Sequence, residues 1–153
     1  MIIPIFDGHN DSLTKYYFAH KNFLEKNSEF NLDFPRAKQG GFSGGFFAIF
    51  VPEKNSQDKD PREDLVLFEN GVEVKYASPI EHDYAKQITD IALELLKQFE
   101  QHSQGQLKII HQADELEKNI KNKVMSALVH FEGAVSCHSC RCSSNLSFDK
   151  KSY

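Results

Sequence analysis

Two stretches of the chain hold residue types that bind divalent metal ions. His9 and Asp11 come just after an apolar run, Ile2–Phe6, whose short length and β-forming residues are typical of a buried strand. Glu132 follows a second apolar stretch, Met125–Phe131. The carboxyl ends of parallel strands meet at the edge of a sheet where active sites lie, so these three side chains are expected on a shared rim. Imidazole and carboxylate groups suit zinc or a similar ion.

Each stretch by itself also has a simpler interpretation. Residues i and i+2 of an extended chain point the same way, so His9 and Asp11 can project together. A bare pair of this kind is nevertheless more often a polar turn that faces water. An acid at the position of Glu132 more often caps a helix or lies in an exposed loop. His130 can share a face with Glu132, although we expect it to be a hydrogen-bonded histidine of the core.

The elements that must position these residues alternate between strand and helix. We predict strands at Ile2–Phe6, Phe46–Val51, Leu107–Ile110 and Met125–Phe131. A long amphipathic helix is predicted from a capping box at Ser78-Pro79-Ile80-Glu81 to Gly105, and a shorter one is marked by Leu116, Ile120 and Val124. A hairpin is predicted around Asn70-Gly71. Apolar strands that alternate with helices favour a parallel α/β sheet.

Composition excludes several classes of function. The chain has 153 residues with 18 Lys and Arg against 22 Asp and Glu, a formal net charge of −4, so it lacks the basic face that nucleic acid requires. The longest apolar run, Phe46–Val51, is far shorter than the roughly 20 residues of a membrane span. No basic region precedes Asp7 as in a secretory signal, and we therefore expect a cytoplasmic location.

The composition changes after Ala134. Residues 135–153 are rich in Ser, Cys and Lys without periodicity, so we predict a domain at 1–134 and a divergent, disordered tail at 135–153. The tail carries all three cysteines, Cys137, Cys140 and Cys142, in one local cluster. Structural zinc sites usually need two ligand pairs separated by a loop, so an unstructured thiol-rich tail is favoured over a small zinc-binding module.

Three stretches, in order along the chain, resemble the membrane (renal-type) dipeptidase family of zinc peptidases. They are Asp7-Gly8-His9-Asn10-Asp11, then residues 32–41 with Gly44-Gly45-Phe46-Phe47-Ala48-Ile49-Phe50, and finally His130-Phe131-Glu132-Gly133-Ala134. The resemblance implies a metal-dependent (β/α)8 barrel that hydrolyses dipeptides, including dipeptides with a D-residue at the C-terminal position. It also implies that His9 and Asp11 bind one zinc ion and that Glu132 bridges it to a second.

By the same resemblance, two further zinc-binding histidines and an acid/base aspartate belong to later strands. A (β/α)8 barrel needs about 200–250 residues, so we expect the N-terminal part of a truncated barrel with an incomplete second zinc site. An unclosed sheet leaves an apolar edge, through which we expect association into a homo-oligomer. The alternative is a truncated or frameshifted product that does not catalyse and binds metal weakly at most.

Overall fold

The computed structural model describes residues 3–54, 65–74 and 79–133. The strands are β1 (Ile5–Asn10), β2 (Phe42–Ile49), β3 (Leu65–Phe68), β4 (Gly71–Val74), β5 (Leu107–Ile109) and β6 (Met125–Phe131). The helices are α1 (Ser12–Phe18), α2 (Phe34–Gln39), α3 (His82–His102) and α4 (Ala113–Asn122). The predicted tail and the predicted cap at Ser78 lie outside the described residues.

Four of the strands form one parallel sheet in the order β1-β2-β6-β5. The predicted parallel α/β architecture is therefore confirmed. β5 precedes β6 in the chain but lies at the edge of the sheet. After β5 the chain returns through α4, and β6 then forms between β2 and β5. All four strands run the same way, and their carboxyl ends share one rim.

The core lies on one face of this sheet, where α1 and α3 pack against each other and against the strands. Phe23 is fully buried at its centre, and its ring lies 5.9 Å from that of Phe47 and 5.4 Å from that of Phe99. Such aromatic contacts add to the free energy gained by burial. With no tryptophan in the chain, phenylalanines supply most of the aromatic volume of this core.

The first strand differs from its prediction in both position and burial. β1 runs from Ile5 to Asn10, so it contains Asp7-Gly8-His9 instead of ending before them. It is an edge strand that pairs only with β2 among the described residues, and Ile5 is 52% exposed. A short apolar run cannot distinguish a buried strand from an edge strand, because that difference depends on which elements cover it.

β2 begins at Phe42 and not at Phe46, and Gly44-Gly45 lie inside it. These two glycines allow β2 to approach both neighbours closely. A Cβ atom on Gly44 would lie 2.4 Å from the carbonyl oxygen of Ser126 in β6, and one on Gly45 would lie 2.8 Å from the Cβ of Asp7 in β1. The glycines are therefore part of the sheet and do not mark its boundary.

The long helix is confirmed, but its predicted start is wrong. Its first helical residue is His82, and Pro79 and Ile80 are not helical. Its buried side is formed by Ala85, Ile88, Thr89, Ala92, Leu96 and Phe99. Even this helix, the longest one described, is not apolar enough to cross a membrane, and neither is any other helix of the described residues.

The second helix, α4, ends at Asn122, so Val124 lies beyond it. Its start is stabilised by Glu115, whose carboxylate accepts hydrogen bonds from the backbone N–H groups of His111 and Gln112. These bonds lower the pKa of Glu115. The predicted hairpin is present as β3 and β4, but its two turn residues are Glu69 and Asn70, one position earlier than predicted.

Candidate metal centre

Three elements bring the predicted ligands to the same rim of the sheet. His9 lies near the end of β1, and Asp11 is the residue that precedes α1. Glu132 directly follows β6, and its backbone N–H donates a hydrogen bond to the carbonyl of Ile49 at the end of β2 (3.4 Å). Residues that are remote in the sequence therefore meet because their strands are parallel and in register.

A β-bulge near the end of β1 determines where His9 points. Asp7 pairs with Gly45 and Asn10 with Phe47, so β1 has one more residue than β2 between these positions. The carboxylate of Asp7 stabilises the bulge by accepting from the backbone N–H of His9 (3.2 Å) and from the amide of Asn10 (3.1 Å). The Asn10 amide also donates to the carbonyl of Phe46 (3.2 Å), which ties the bulge to β2.

The Nε2 atom of His9 lies between two carboxylates. It is 3.3 Å from Oδ1 of Asp11 and 3.1 Å from Oε1 of Glu132. The side chain of His9 is 44% exposed, that of Asp11 is 43% exposed and that of Glu132 is 27% exposed. An ion can therefore reach all three from solvent. The structure thus brings His9 into contact with each of the other two residues that the sequence suggests as metal ligands.

His130 was expected in the core, and that expectation is wrong. The residue is exposed, and its ring lies 5.8 Å from that of His9, centroid to centroid. His9, His130 and Glu132 each offer a donor atom, and these donors all lie within 4.8 Å of one another. Strand alternation places His130 and Glu132 on one side of the chain, and this signal is present in the sequence. What sequence reasoning missed is how far the helix on this face of β6 reaches: Asn119 of α4 donates to Ser126 near the start of the strand (3.1 Å), whereas His130 near its end is exposed.

The donor set fits a divalent transition metal. Donors around a tetrahedral zinc ion with bonds of about 2.0–2.1 Å lie roughly 3.3 Å apart, close to the separation of His9 Nε2 and Glu132 Oε1. Imidazole and carboxylate are also the ligand types that zinc and related ions share. The residues present are therefore suitable in kind and in spacing.

A cavity of about 540 Å³ opens beside Asp11, between α1 and the segment that precedes α2. It is lined by Asn10, Asp11, Ser12, Lys15, Tyr16, Glu29, Phe30, Asn31 and Leu32. The hydroxyl of Tyr16 donates to the carbonyl of Leu32 (2.7 Å). Burial, and then the charge of Asp33, raises the pKa of Tyr16 to about 12, so this tyrosine is a neutral hydrogen-bond donor near pH 7.

The chain is similar to several known proteins in sequence and in fold. An uncharacterised protein from the PQQ-III 3′ region of Acinetobacter calcoaceticus is 31% identical over 137 residues, which cover 86% of this chain and 41% of that protein. A metallopeptidase from Rhodobacter sphaeroides, crystallised with a phosphinate mimic of the dipeptide L-Ala-D-Ala, superposes with a TM-score of 0.71 at 30% identity. The dipeptidase AC, a metallopeptidase of family M19, superposes with a TM-score of 0.68 at 29% identity.

Both superpositions cover 89% of this chain, but only 40% and 38% of the two structures. The chain thus spans about two fifths of the length of the relatives it matches. They confirm the predicted fold, because M19 dipeptidases are (β/α)8 barrels and this chain matches their N-terminal portion.

The sequence profile of the membrane dipeptidase family, Peptidase family M19, matches residues 2–141. The match extends seven residues past the predicted domain boundary at 134, and that boundary stays a prediction. A match over nearly the whole chain, with the likeness of the fold, identifies this chain as a member of the membrane dipeptidase family.

Proposed function

We propose that this chain provides the metal-binding part of a zinc-dependent dipeptidase, with His9, Asp11 and Glu132 as zinc ligands. The observation that carries the proposal is the contact of His9 Nε2 with carboxylates from two distant parts of the chain, at 3.3 and 3.1 Å. Family membership supports the peptidase assignment, and the dipeptide mimic bound to the Rhodobacter sphaeroides metallopeptidase supports a dipeptide as substrate.

Zinc in such a site supplies Lewis acidity and lowers the pKa of a water molecule. The residues of this chain have separate tasks around it. His9, Asp11 and Glu132 bind the ion, and the hydrogen bonds of Asp7 keep the His9 backbone in the bulge that aims its imidazole at Glu132. A rigid backbone at a ligand reduces the entropy that ion binding would otherwise cost.

We place one end of the dipeptide in the cavity beside Asp11. Its volume of about 540 Å³ lies in the range of about 300–1,000 Å³ that is common for small-ligand sites. Lys15 and Glu29 both line it, so it offers a cation for a carboxylate and an anion for an ammonium group. A zwitterionic dipeptide carries both of these groups.

We expect the purified chain to retain one zinc ion after dialysis and the His9→Ala and Asp11→Ala variants to retain none, since each loses a ligand. Metal analysis of the protein measures this directly. His102→Ala is the matched control, because His102 is exposed at the end of α3, near the opposite rim of the sheet. Zinc content equal to that of the parent in both ligand variants would reject the assignment.

The same measurement distinguishes the rim site from the cysteine cluster. A triple variant in which Cys137, Cys140 and Cys142 become serine should keep its zinc if the ion is bound by His9, Asp11 and Glu132. Loss of zinc in this variant would instead support the small zinc-binding module.

Hydrolysis of L-Ala-D-Ala by the zinc-loaded chain tests the catalytic part of the proposal. Zinc-dependent release of alanine is expected, and His9→Ala should reduce it by at least about 100-fold. A chain that binds zinc stoichiometrically and releases no alanine would favour the non-catalytic alternative.

We also propose that the chain associates through the edge of β1. Ile3 and Ile5 are 75% and 52% exposed, and β1 has a partner on one side only within the described part of the chain. Unpaired apolar edges of this kind promote strand pairing between molecules. Sedimentation of the parent and of an Ile5→Lys variant should give a larger species for the parent alone.

A further inference from the structure

We propose that Arg36 is a positioning residue of the dipeptide site, because it holds the segment that forms one wall of the cavity beside Asp11. The inference rests on the proposed function, which places one end of a dipeptide in this cavity, and it concerns affinity for the dipeptide instead of metal binding. Neither Arg36 nor Asp33, with which it pairs, lines the cavity. The pair therefore acts through the cavity wall, which is the segment of residues 29–32.

The cavity wall has no regular secondary structure of its own. Residues 29–32 lie between α1 and α2, belong to neither helix, and all line the cavity. A segment outside helices and sheets keeps one conformation only if other groups bind its backbone polar atoms. The groups that bind these atoms therefore determine how well the cavity is formed before a ligand enters it.

The guanidinium of Arg36 holds this segment at two carbonyl groups. Its Nη2 atom donates to the carbonyl of Asn27 (2.7 Å) and to the carbonyl of Phe30. Its Nε atom donates to Oδ2 of Asp33 (2.5 Å), and the same carboxylate oxygen accepts from the backbone N–H of Asn27 (3.0 Å). Arginine suits this task because its donors are fixed in one plane and can reach several acceptors at once.

A separate set of contacts ties the far end of the wall to α1. The hydroxyl of Tyr16 donates to the carbonyl of Leu32 (2.7 Å), and the ring of Tyr16 lies 4.7 Å from that of Phe30, centroid to centroid. The carbonyl of Phe30 is held by Arg36 instead. We therefore expect loss of the guanidinium to loosen the wall around Phe30 while the bond between Tyr16 and Leu32 persists.

The competing explanation is that the pair of Arg36 and Asp33 only stabilises the fold. Asp33 cannot separate the two roles, because it is fully buried and also caps α2. Arg36 is the better target, since its side chain is 37% exposed and its backbone N–H, which donates to Asp33 (2.9 Å), remains in Arg36→Lys. A purely structural role predicts lower stability with unchanged affinity for the dipeptide, whereas a positioning role predicts lower affinity in the folded variant.

Arg36→Lys keeps the positive charge beside Asp33 but replaces the planar group by a single ammonium on a flexible stem. We expect the zinc-loaded variant to bind a phosphinate mimic of L-Ala-D-Ala about 10-fold more weakly than the parent, because binding must then order the wall. Its zinc content should equal that of the parent. Isothermal titration calorimetry measures the affinity, at a temperature at which circular dichroism shows both proteins folded. The mimic contains no peptide bond to hydrolyse.

Leu107→Val is the matched control for lost stability. Leu107 is fully buried at the start of β5 and does not line the cavity. This variant should lower the melting temperature, because it removes a buried methylene group, and it should bind the mimic as the parent does.

Nuclear magnetic resonance of the zinc-loaded parent requires no substitution and so does not depend on how the variants fold. The backbone amide signals of residues 29–32 should shift when the mimic is added. Unmoved signals, or an Arg36→Lys variant that binds the mimic as tightly as the parent, would overturn the inference. If binding shifts only the signals of residues 9–11, the zinc site of the proposed function survives. If the zinc-loaded parent does not bind the mimic at all, the proposed function and this inference both fail.

Discussion

Replacing Asp33 by alanine should lower the free energy of unfolding by about 3 kcal/mol, because it removes a buried carboxylate with three hydrogen-bond donors. Asp33 is fully buried just before α2. It accepts from the backbone N–H groups of Asn27 (3.0 Å) and Arg36 (2.9 Å), and from Nε of Arg36 (2.5 Å). The substitution leaves these donors without their acceptor and also deletes the cap of α2.

Chemical denaturation of the two proteins measures this difference. Asp90→Ala is the matched control, because Asp90 is an exposed acid whose ion pair with Lys86 lies on the surface of α3. Exposed pairs of this kind are worth about 0.3–0.5 kcal/mol. If Asp33→Ala is no more destabilising than Asp90→Ala, the role assigned to the buried carboxylate is wrong.

The contribution of Asp33 should also depend on pH. Burial alone would raise the pKa of Asp33, but hydrogen bonds from Asn27 and Arg36, with the Arg36 charge, outweigh it and lower the pKa below its ordinary value. A group whose pKa is lower in the folded state stabilises it at a pH above its unfolded pKa, and loses this effect as the pH falls through the folded value. The stability advantage of the parent over Asp33→Asn should therefore be constant near pH 6 and shrink below about pH 4. An advantage that does not change down to pH 2 would contradict this assignment.

The second large effect is expected for Gly44→Ala. The new Cβ would lie 2.4 Å from the carbonyl oxygen of Ser126 and 2.9 Å from its Cβ. The first contact is with backbone, which cannot rotate away, so β2 and β6 must move apart at the centre of the sheet. We expect a loss of about 3 kcal/mol, which lowers the melting temperature by about 10 °C in a chain of this size.

Thermal unfolding followed by circular dichroism tests this expectation. Gly71→Ala is the matched control, since a Cβ at Gly71 has no atom within 4 Å, and it should leave the melting temperature nearly unchanged. Equal melting temperatures for the two variants would show that the sheet tolerates a wider separation of β2 and β6.

Local features of the sequence were sufficient to predict those elements whose structure is decided by residues that are neighbours in the chain. Met125–Phe131 is a strand with the predicted bounds, because an almost uninterrupted apolar run between a helix and Glu132-Gly133 permits few alternatives. Most of the long amphipathic helix was likewise predictable from its 3.6-residue period. The family resemblance also follows from the sequence, since it depends on short stretches in a fixed order.

The tertiary structure decided what depends on contacts between distant parts of the chain. The apolar run before Asp7 and the apolar run before Glu132 are similar as sequences, yet β1 is an exposed edge and β6 lies between two strands. His130 is exposed beside His9 because α1 and α3 pack on the other face of the sheet and α4 lies near the start of β6, and no local pattern records which part of a strand is covered. Polarity along a chain is a local property, whereas burial and the meeting of ligands depend on which strands become neighbours, and this is why only the fold could bring His130 to the candidate metal centre.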